Sequence, residues 1–230
     1  MRSPLACHDP ARFEAERLSA EALERSLDET LAGRDPREPL WIFAYGSLMW
    51  NPGLAFVAKR VGTIYGFHRN FCLWSRINRG TPEHPGLVLT LERGGSCRGI
   101  AFRLTGSTSR DELLALWRRE MSLGSYHPRW LDFHAGADRL PALAFISNRD
   151  CSGYTGKLPM EAMVKAIATA RGKFGSSAEY LFLTQAALDS HGILDRRVKL
   201  LVERVKSWLA RATPFAGAQP QPHQTKAGSR

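Results

Sequence analysis

The sequence lacks any run of about 18 uncharged apolar residues, which excludes a predicted transmembrane helix. Its N-terminal stretch, MRSPLACHDPARFEAERL, has no continuous apolar region, so we expect no secretory signal peptide. Cysteine is scarce and there is no C-x-x-C pair, which argues against a zinc site or a compact disulfide scaffold; the four cysteines are Cys7, Cys72, Cys97 and Cys151. The sequence therefore predicts a cytoplasmic protein with reduced thiols.

Recognisable catalytic motifs built on histidine or serine are also missing. The seven histidines form no H-x-x-x-H pair and no H-E-x-x-H, so we expect no metal site. No G-x-S-x-G nucleophile elbow occurs around Ser47. The order of residues leaves a Ser47-His-Asp triad open, although no segment offers a distinct His or Asp partner.

The charge of the chain is unevenly distributed. The net charge is +10, yet residues 1–40 contain six Arg and nine Asp or Glu, so an excess of 13 positive charges falls on the remainder. That field favours an acidic partner, either nucleic acid, a membrane surface or a small carboxylate metabolite. Basic residues lie near aromatic ones at Arg69, Trp74, Arg76 and Arg79. No nucleic-acid-binding motif accompanies them, and solvated strand faces explain these charges better.

The 230 residues suit one domain with extensions at both ends. A helix is predicted over 10–32 and a polar linker over 33–39, so residues 1–40 form an N-terminal helical extension. The main domain is expected at 41–210. Because the composition then shifts to Pro, Gln, Ala and Gly, we expect a disordered tail over 211–230.

The sequence of the main domain predicts strands followed by helices. Strands are predicted at 40–45, 60–67, 69–74, 86–92, 97–104, 129–134 and 141–147. A hairpin turn is predicted at 92–96, where two glycines separate two apolar runs. Helices are predicted after a capping box at Ser109–Glu112 and over 160–173, 178–189 and 194–210. The fold class is therefore α+β, with a small curved or barrel-like mixed sheet flanked by helices.

The stretch Tyr45-Gly46-Ser47-Leu48 interrupts the first predicted strand. Gly and Ser let the backbone turn sharply, and successive N–H groups that point one way form a concavity that binds anions. Met49 and Trp50 would then help Leu48 to anchor the turn in the core. The alternative is a plain β-turn without a ligand.

Glu120 is the candidate acid–base residue. It follows an apolar helix, and helical spacing brings it near Leu113, Leu116 and Trp117. A carboxylate against such side chains has a raised pKa and exchanges protons near neutrality. The alternative is an ordinary surface glutamate paired with a neighbouring arginine.

Six stretches occur in this order: FAYGSLMWNPG, RGTPEHPGLVLTL, CRGIAFRL, WRRE followed by a Gly and Tyr126, GYTG, and AEYLF. Together they resemble the ChaC-type glutathione-specific γ-glutamylcyclotransferases, within the wider γ-glutamylcyclotransferase-like superfamily. The resemblance runs from about Trp41 to Leu209. It implies a lyase of the cytoplasm that cleaves glutathione to 5-oxoproline and cysteinyl-glycine without a metal or cofactor. It further implies a small-molecule substrate as the partner, with no nucleic acid and no membrane.

The resemblance also implies roles for individual residues. Glu120 would accept the proton, and the γ-glutamyl pocket would be lined by Ala44, Tyr45, Gly46, Ser47, Leu48 and Met49. The family usually reads R-E-K-G-G-Y, with Tyr four residues after Glu, whereas Tyr126 lies six residues after Glu120. This departure leaves the role of Tyr126 open. It also leaves open a cyclotransferase for other γ-glutamyl amines or peptides, and a catalytically silent γ-glutamyl-binding module.

Overall fold

The computed structural model describes residues 16–35 and 37–212. Its first elements are α1 (Ala20–Leu31), β1 (Trp41–Ala44), a turn of 3-10 helix (Ser47–Met49), β2 (Phe56–Ser75) and β3 (Gly86–Leu104). They are followed by α2 (Arg110–Met121), β4 (Tyr126–Ala135), β5 (Asp138–Ser147) and α3 (Met160–Thr169). The last elements are β6 (Arg171–Gly172), β7 (Gly175–Ser176), α4 (Ser177–Ser190) and α5 (Arg196–Ala212).

Five strands close into a barrel in the order β1-β3-β2-β4-β5. Strand β1 is parallel to β5, with Ile42 opposite Leu143, and antiparallel to β3. The sheet is therefore mixed, and closure leaves its main strands without a free edge. This confirms the predicted α+β class with a barrel-like mixed sheet.

A pair of glycines lets the barrel close tightly. Gly62 on β2 lies opposite Gly99 on β3. A Cβ atom on Gly99 would lie 2.5 Å from the carbonyl oxygen of Ala44. On Gly62 it would lie 2.3 Å from that of His134. The missing side chains leave room for neighbouring backbone and for the phenylalanine rings of the core.

The predicted hairpin turn at 92–96 is wrong. Strand β3 continues through it, and the predicted strands 60–67 and 69–74 are likewise one strand, β2. Gly94 and Gly95 adopt left-handed φ values of 97° and 72°. The strand pairing jumps there, from Tyr65 opposite Ser96 to Phe67 opposite Arg93. Because β2 continues across from the glycines, they form a bulge within the ladder instead of a turn.

The helices differ from their predicted bounds at both ends of the chain. Helix α1 begins only at Ala20, because the Ser19 side chain accepts a hydrogen bond from the Ala22 amide and caps it. The predicted start at residues 10–15 lies outside the described residues, as do residues 213–230 of the predicted tail. Residues 211 and 212, which the sequence also predicts to be tail, belong to α5, which ends two residues later than predicted. Helix α3 ends at Thr169, because Arg171–Gly172 pairs with Gly175–Ser176 in a short ribbon. The predicted capping box at Ser109 is confirmed.

Helix α1 packs on α2, the helix that carries Glu120. Leu23 and Leu27 of α1 are buried in the core. The indole Nε1 of Trp117 donates to the Ser26 hydroxyl at 3.3 Å.

Among the described residues, no helix combines the length and the apolar composition needed to cross a bilayer.

Replacing Gly99 by Ala is expected to lower the free energy of unfolding by about 1–3 kcal/mol, since the new methyl group would overlap the backbone of β1. Urea denaturation measures the change. Gly106→Ala is the matched control. Apart from Gly106 and its two chain neighbours, no atom of the described residues lies within 4 Å of the position that its methyl group would take, so we expect a change within about 0.5 kcal/mol. Equal stability of the two variants would contradict this account of barrel closure.

Candidate active site

The Tyr45-Gly46-Ser47-Leu48 stretch forms a turn at the end of β1. The buried Tyr45 hydroxyl donates to the carbonyl oxygen of Phe145 at 2.8 Å. The Met49 amide donates to the carbonyl oxygen of Gly46 at 2.9 Å, which closes the 3-10 turn. Leu48 and Met49 are buried, and the partly buried Trp50 packs against the core, so the three side chains anchor the turn as predicted.

A buried arginine fixes the start of this turn. The Nε atom of Arg69 donates to the carbonyl oxygen of Tyr45 at 2.7 Å, and its Nη2 atom donates to that of Arg98 at 2.8 Å. Arg69 is only 5% exposed and Arg76 only 4%, so the interpretation of both as solvated strand charges is wrong. Their guanidinium groups serve as internal hydrogen-bond donors.

The 3-10 turn presents amide donors at its start. No side chain of the described residues caps it. The first N–H groups of such a turn have no acceptor within the turn itself, which leaves the amides of Ser47 and Leu48 as candidate donors to a ligand. The side chains of Ala44, Leu48 and Met49 are buried in the core, so a ligand would meet the backbone of these residues.

Glu120 lies in the last turn of α2, and its side chain is 13% exposed. Burial raises the pKa of its carboxyl group, and the positive charge of Arg119 opposes that rise. The Nε atom of Arg119 lies 3.1 Å from Oε1 of Glu120. The structure therefore combines both sequence-based interpretations: the carboxylate is paired with arginine, yet it is largely withdrawn from water.

Arg119 connects Glu120 to the turn. Its Nη2 atom donates to the Ser47 hydroxyl at 3.0 Å, and its Nη1 atom donates to the carbonyl oxygen of Asn51 at 2.6 Å. The two features predicted from the sequence, Glu120 and the turn, thus share one guanidinium. Among the described residues, the Ser47 hydroxyl has Arg119 and not a histidine as its hydrogen-bond partner, so their geometry does not support the Ser47-His-Asp triad.

Three buried tyrosines lie within electrostatic reach of the Glu120 carboxylate. Burial raises the pKa of Tyr45, Tyr126 and Tyr180, and the negative charge of Glu120 raises each of them further. The Tyr126 hydroxyl donates to the carbonyl oxygen of Leu89 at 2.9 Å. Tyr126 therefore reaches the site despite its spacing of six residues from Glu120.

Tyr180 is a member of the site that the sequence did not predict. Its hydroxyl accepts a hydrogen bond from the Leu89 amide at 3.4 Å. A Cβ atom on Gly46 would lie 3.0 Å from the same hydroxyl, so glycine at this position lets the turn approach the tyrosine. The motif AEYLF contains Tyr180, but nothing in the sequence places it beside a turn that lies more than a hundred residues earlier.

Within residues 16–35 and 37–212, no three His, Cys, Asp or Glu side chains gather closely enough to hold a metal ion.

Comparison with known proteins identifies the family. The family model described as "ChaC-like protein" matches residues 40–208. The chain belongs to the ChaC-like family. This ChaC-like chain is 40% identical over 204 residues to the glutathione-specific γ-glutamylcyclotransferase of Escherichia coli K12, and the match covers 88% of each chain. It is 36% identical over 152 residues to glutathione-specific γ-glutamylcyclotransferase 1 of mouse, covering 64% of this chain and 68% of the mouse protein.

A solved structure shares the fold of this ChaC-like chain. The crystal structure of the yeast γ-glutamylcyclotransferase specific to glutathione superposes with a TM-score of 0.69 at 21% sequence identity. The superposition covers 75% of this chain and 97% of the yeast chain. The predicted γ-glutamylcyclotransferase-like architecture is confirmed.

Replacing Glu120 by Gln is expected to leave the fold intact. As pH rises, the variant should become more stable relative to the wild type. The pKa of Glu120 is raised in the folded state, so the unfolded chain loses its proton first. The stability of the wild type relative to the Gln variant should therefore fall from about pH 4.3, the ordinary pKa of Glu, up to the raised folded pKa, and then level off. Urea denaturation of both proteins across this range measures the difference. A wild type that gains stability relative to the variant as pH rises would contradict the raised pKa.

Proposed function

We propose that this ChaC-like protein is a γ-glutamylcyclotransferase, a carbon–nitrogen lyase that cleaves glutathione to 5-oxoproline and cysteinyl-glycine. The observation that carries the proposal is the largely buried Glu120, whose pKa is raised, held by Arg119 against the turn at Ser47. The names of the E. coli and mouse relatives support the choice of glutathione as the substrate.

The reaction is intramolecular. The α-amine nitrogen of the γ-glutamyl group attacks its own γ-carbonyl carbon, and a new carbon–nitrogen bond closes a five-membered ring. The bond from that carbon to the cysteine nitrogen then breaks. Because the attacking group is already tethered to the reacting carbon, the enzyme needs no nucleophile of its own, and its main tasks are orientation and proton transfer. The hydrogen bond between the Ser47 hydroxyl and Arg119 fits a site in which serine is not the nucleophile.

Glu120 moves the proton. The α-amine is protonated in neutral water and has to lose a proton before or during its attack. Glu120 accepts that proton and delivers it to the leaving cysteine nitrogen. A second proton, which the ring nitrogen loses as it becomes an amide N–H, follows the same route, so cysteinyl-glycine leaves as an ammonium and the carboxylate is restored. A raised pKa suits a group that both takes and gives a proton.

The turn and the tyrosines hold the γ-glutamyl head. We assign the amides of Ser47 and Leu48 to its anionic oxygens, the α-carboxylate or the oxyanion that develops at the γ-carbonyl. The pocket lining comprises the backbone of Ala44, Tyr45, Gly46, Ser47, Leu48 and Met49 together with the rings of Tyr126 and Tyr180.

We propose the cytoplasm as the location and a small molecule as the partner, with neither nucleic acid nor membrane. Buried free thiols at Cys72, Cys97 and Cys151 support a reducing compartment. The burial of Arg69 and Arg76 removes two cations from the group that had suggested nucleic-acid stacking.

Incubation of the purified protein with reduced glutathione is expected to yield 5-oxoproline and cysteinyl-glycine in equal amounts, measured by mass spectrometry. Glu120→Gln should lower the rate at least about 100-fold, because the amide cannot take up the proton. Glu112→Gln is the matched control on the same helix, since Gln preserves the capping box and the rate. Full activity of Glu120→Gln would refute the assignment of the base, and no product from glutathione would refute the substrate. A panel of γ-glutamylcysteine and γ-glutamyl amines then tests the other cyclotransferase activities.

The pH dependence of the reaction is expected to shift when Arg119 is replaced by Gln. The guanidinium favours the ionised form of Glu120, so its removal raises the pKa of that carboxyl group further. The acidic limb of kcat/KM for glutathione should therefore move to higher pH. This shift is separate from any loss of rate that follows when the turn loses its hydrogen bonds to Arg119. An acidic limb that stays in place or moves to lower pH would show that Glu120 does not govern it.

A further inference from the structure

The N-terminal extension touches the loop between the two candidate site residues. Residues Glu16–Leu18 lie against Ser122–Ser125, which join the helix of Glu120 to Tyr126. The Leu18 amide donates to the carbonyl oxygen of Ser122 at 3.0 Å. Gly124 has a left-handed φ of 63°, and a Cβ atom there would lie 2.7 Å from the carbonyl oxygen of Glu16. Glycine at this position is what lets the two backbones approach so closely.

The carboxylate of Glu16 ties this segment to the domain. Both of its oxygens accept from the Ser152 amide, at 2.9 and 2.8 Å. Arg76, which is 4% exposed, donates to the hydroxyl and the carbonyl oxygen of the same Ser152, at 3.2 and 3.1 Å. Burial raises the pKa of the adjacent Cys151 thiol, the charge of Glu16 raises it further and that of Arg76 lowers it. The anion of Glu16 and the buried cation of Arg76 therefore belong to one cluster around Ser152.

The other side of the loop is held by the end of β5. The Asn148 side-chain amide donates to the carbonyl oxygen of Gly124 at 2.8 Å, and the Asn148 backbone amide donates to that of Ser125 at 3.0 Å. The loop is thus clamped between Asn148 and residues 16–18. Tyr126 follows directly and is fixed by its hydrogen bond to Leu89. The long spacing between Glu120 and Tyr126 is accommodated beneath the N-terminal segment.

We propose that Glu16 is a positioning residue for the reaction: by holding residues 16–18 over the loop Ser122–Ser125, it fixes Tyr126 and keeps Glu120 out of water. The effect of Glu16 on catalysis rests on the proposed function. Its effect on the loop is independent of that function, because the contacts of Glu16 exist without substrate. The N-terminal extension then contributes to the site, although the candidate base Glu120 belongs to α2 and not to the extension.

Opening of the loop would lower the pKa of Glu120. Burial is the main reason that the pKa of Glu120 is high. A loop that opens admits water, which favours the ionised carboxylate and brings the pKa down. Displacement of Tyr126 would also misplace the γ-glutamyl group, and small misplacements at a reacting centre are costly in rate.

The test compares Glu16→Ala and Glu16→Gln with Asp28→Ala. Asp28 attaches the same extension to α2 through Arg110, at 3.1 and 3.0 Å, but it is exposed and lies towards the other end of α1. We expect Glu16→Ala to lower kcat/KM for glutathione about tenfold, mainly through kcat, and to move its acidic limb to lower pH. Glu16→Gln should be intermediate, since its amide oxygen still accepts from Ser152 but carries no charge. Asp28→Ala should behave as the wild type.

Hydrogen exchange of the 121–126 segment separates this proposal from the proposed function. We expect faster exchange there in Glu16→Ala and unchanged exchange in Asp28→Ala. If the wild type turns over no glutathione, the proposed function fails, and the exchange result alone decides the role of Glu16. Unchanged exchange with a wild-type pH profile in Glu16→Ala would overturn the proposal. An equal effect of Asp28→Ala would overturn it as well, because general attachment of the extension would then suffice.

A second variant covers the case in which Glu16→Ala does not fold. Gly124→Ala places a methyl group against the Glu16 carbonyl and strains the left-handed backbone, so it should open the same contact from the other side. We expect Gly124→Ala to reproduce the lower acidic limb and the faster exchange. The variant with both Glu16→Gln and Gly124→Ala should lose no more than the worse of the two alone, because they break one contact. Fully additive losses would overturn the proposal.

Discussion

The ion pair between Arg119 and Glu120 is the interaction on which the candidate site depends. A carboxylate that is 13% exposed would carry a large desolvation cost if it were ionised without a partner. Arg119 supplies the partner at 3.1 Å, and its positive charge opposes the rise in the pKa of Glu120 that burial causes. Because the same guanidinium also binds Ser47 and Asn51, it joins Glu120, the candidate proton acceptor, to the turn.

The barrel supplies the rigid frame for this pair. The turn leaves the end of β1, which lies between β3 and β5, and Arg69 ties the Tyr45 carbonyl to β2. The Nη1 atom of Arg69 also binds Asp195 at 2.6 Å, and Asp195 in turn accepts from the amides of Arg197 and Val198 at the start of α5. The position of the turn is therefore coupled to strands and to the last helix through one buried cation. This explains why an arginine that looks like a surface charge in the sequence lies in the interior.

Local sequence patterns predicted the α+β class, most strands, the capping box at Ser109 and the largely buried position of Glu120. They failed where a distant partner decides the outcome. Gly94 and Gly95 read as a turn because their local preference is for a turn, but the strand opposite continues and makes them a bulge. Tyr180 and Glu16 gained their positions from contacts with Leu89 and Ser152, far away in sequence, and no periodicity or motif encodes such contacts.

The central claim is that Glu120 has a raised pKa in the folded protein, and a carbon-13 NMR titration of its carboxyl group tests it most directly. Labelled glutamate gives one carboxyl resonance for each site, and the signal absent from Glu120→Gln identifies the residue. The account predicts a titration midpoint clearly above the ordinary glutamate value of about 4.3. A midpoint at or below that value would mean that Arg119 outweighs burial, and Glu120 would then be a structural anion that is poorly suited to accept a proton from the substrate amine.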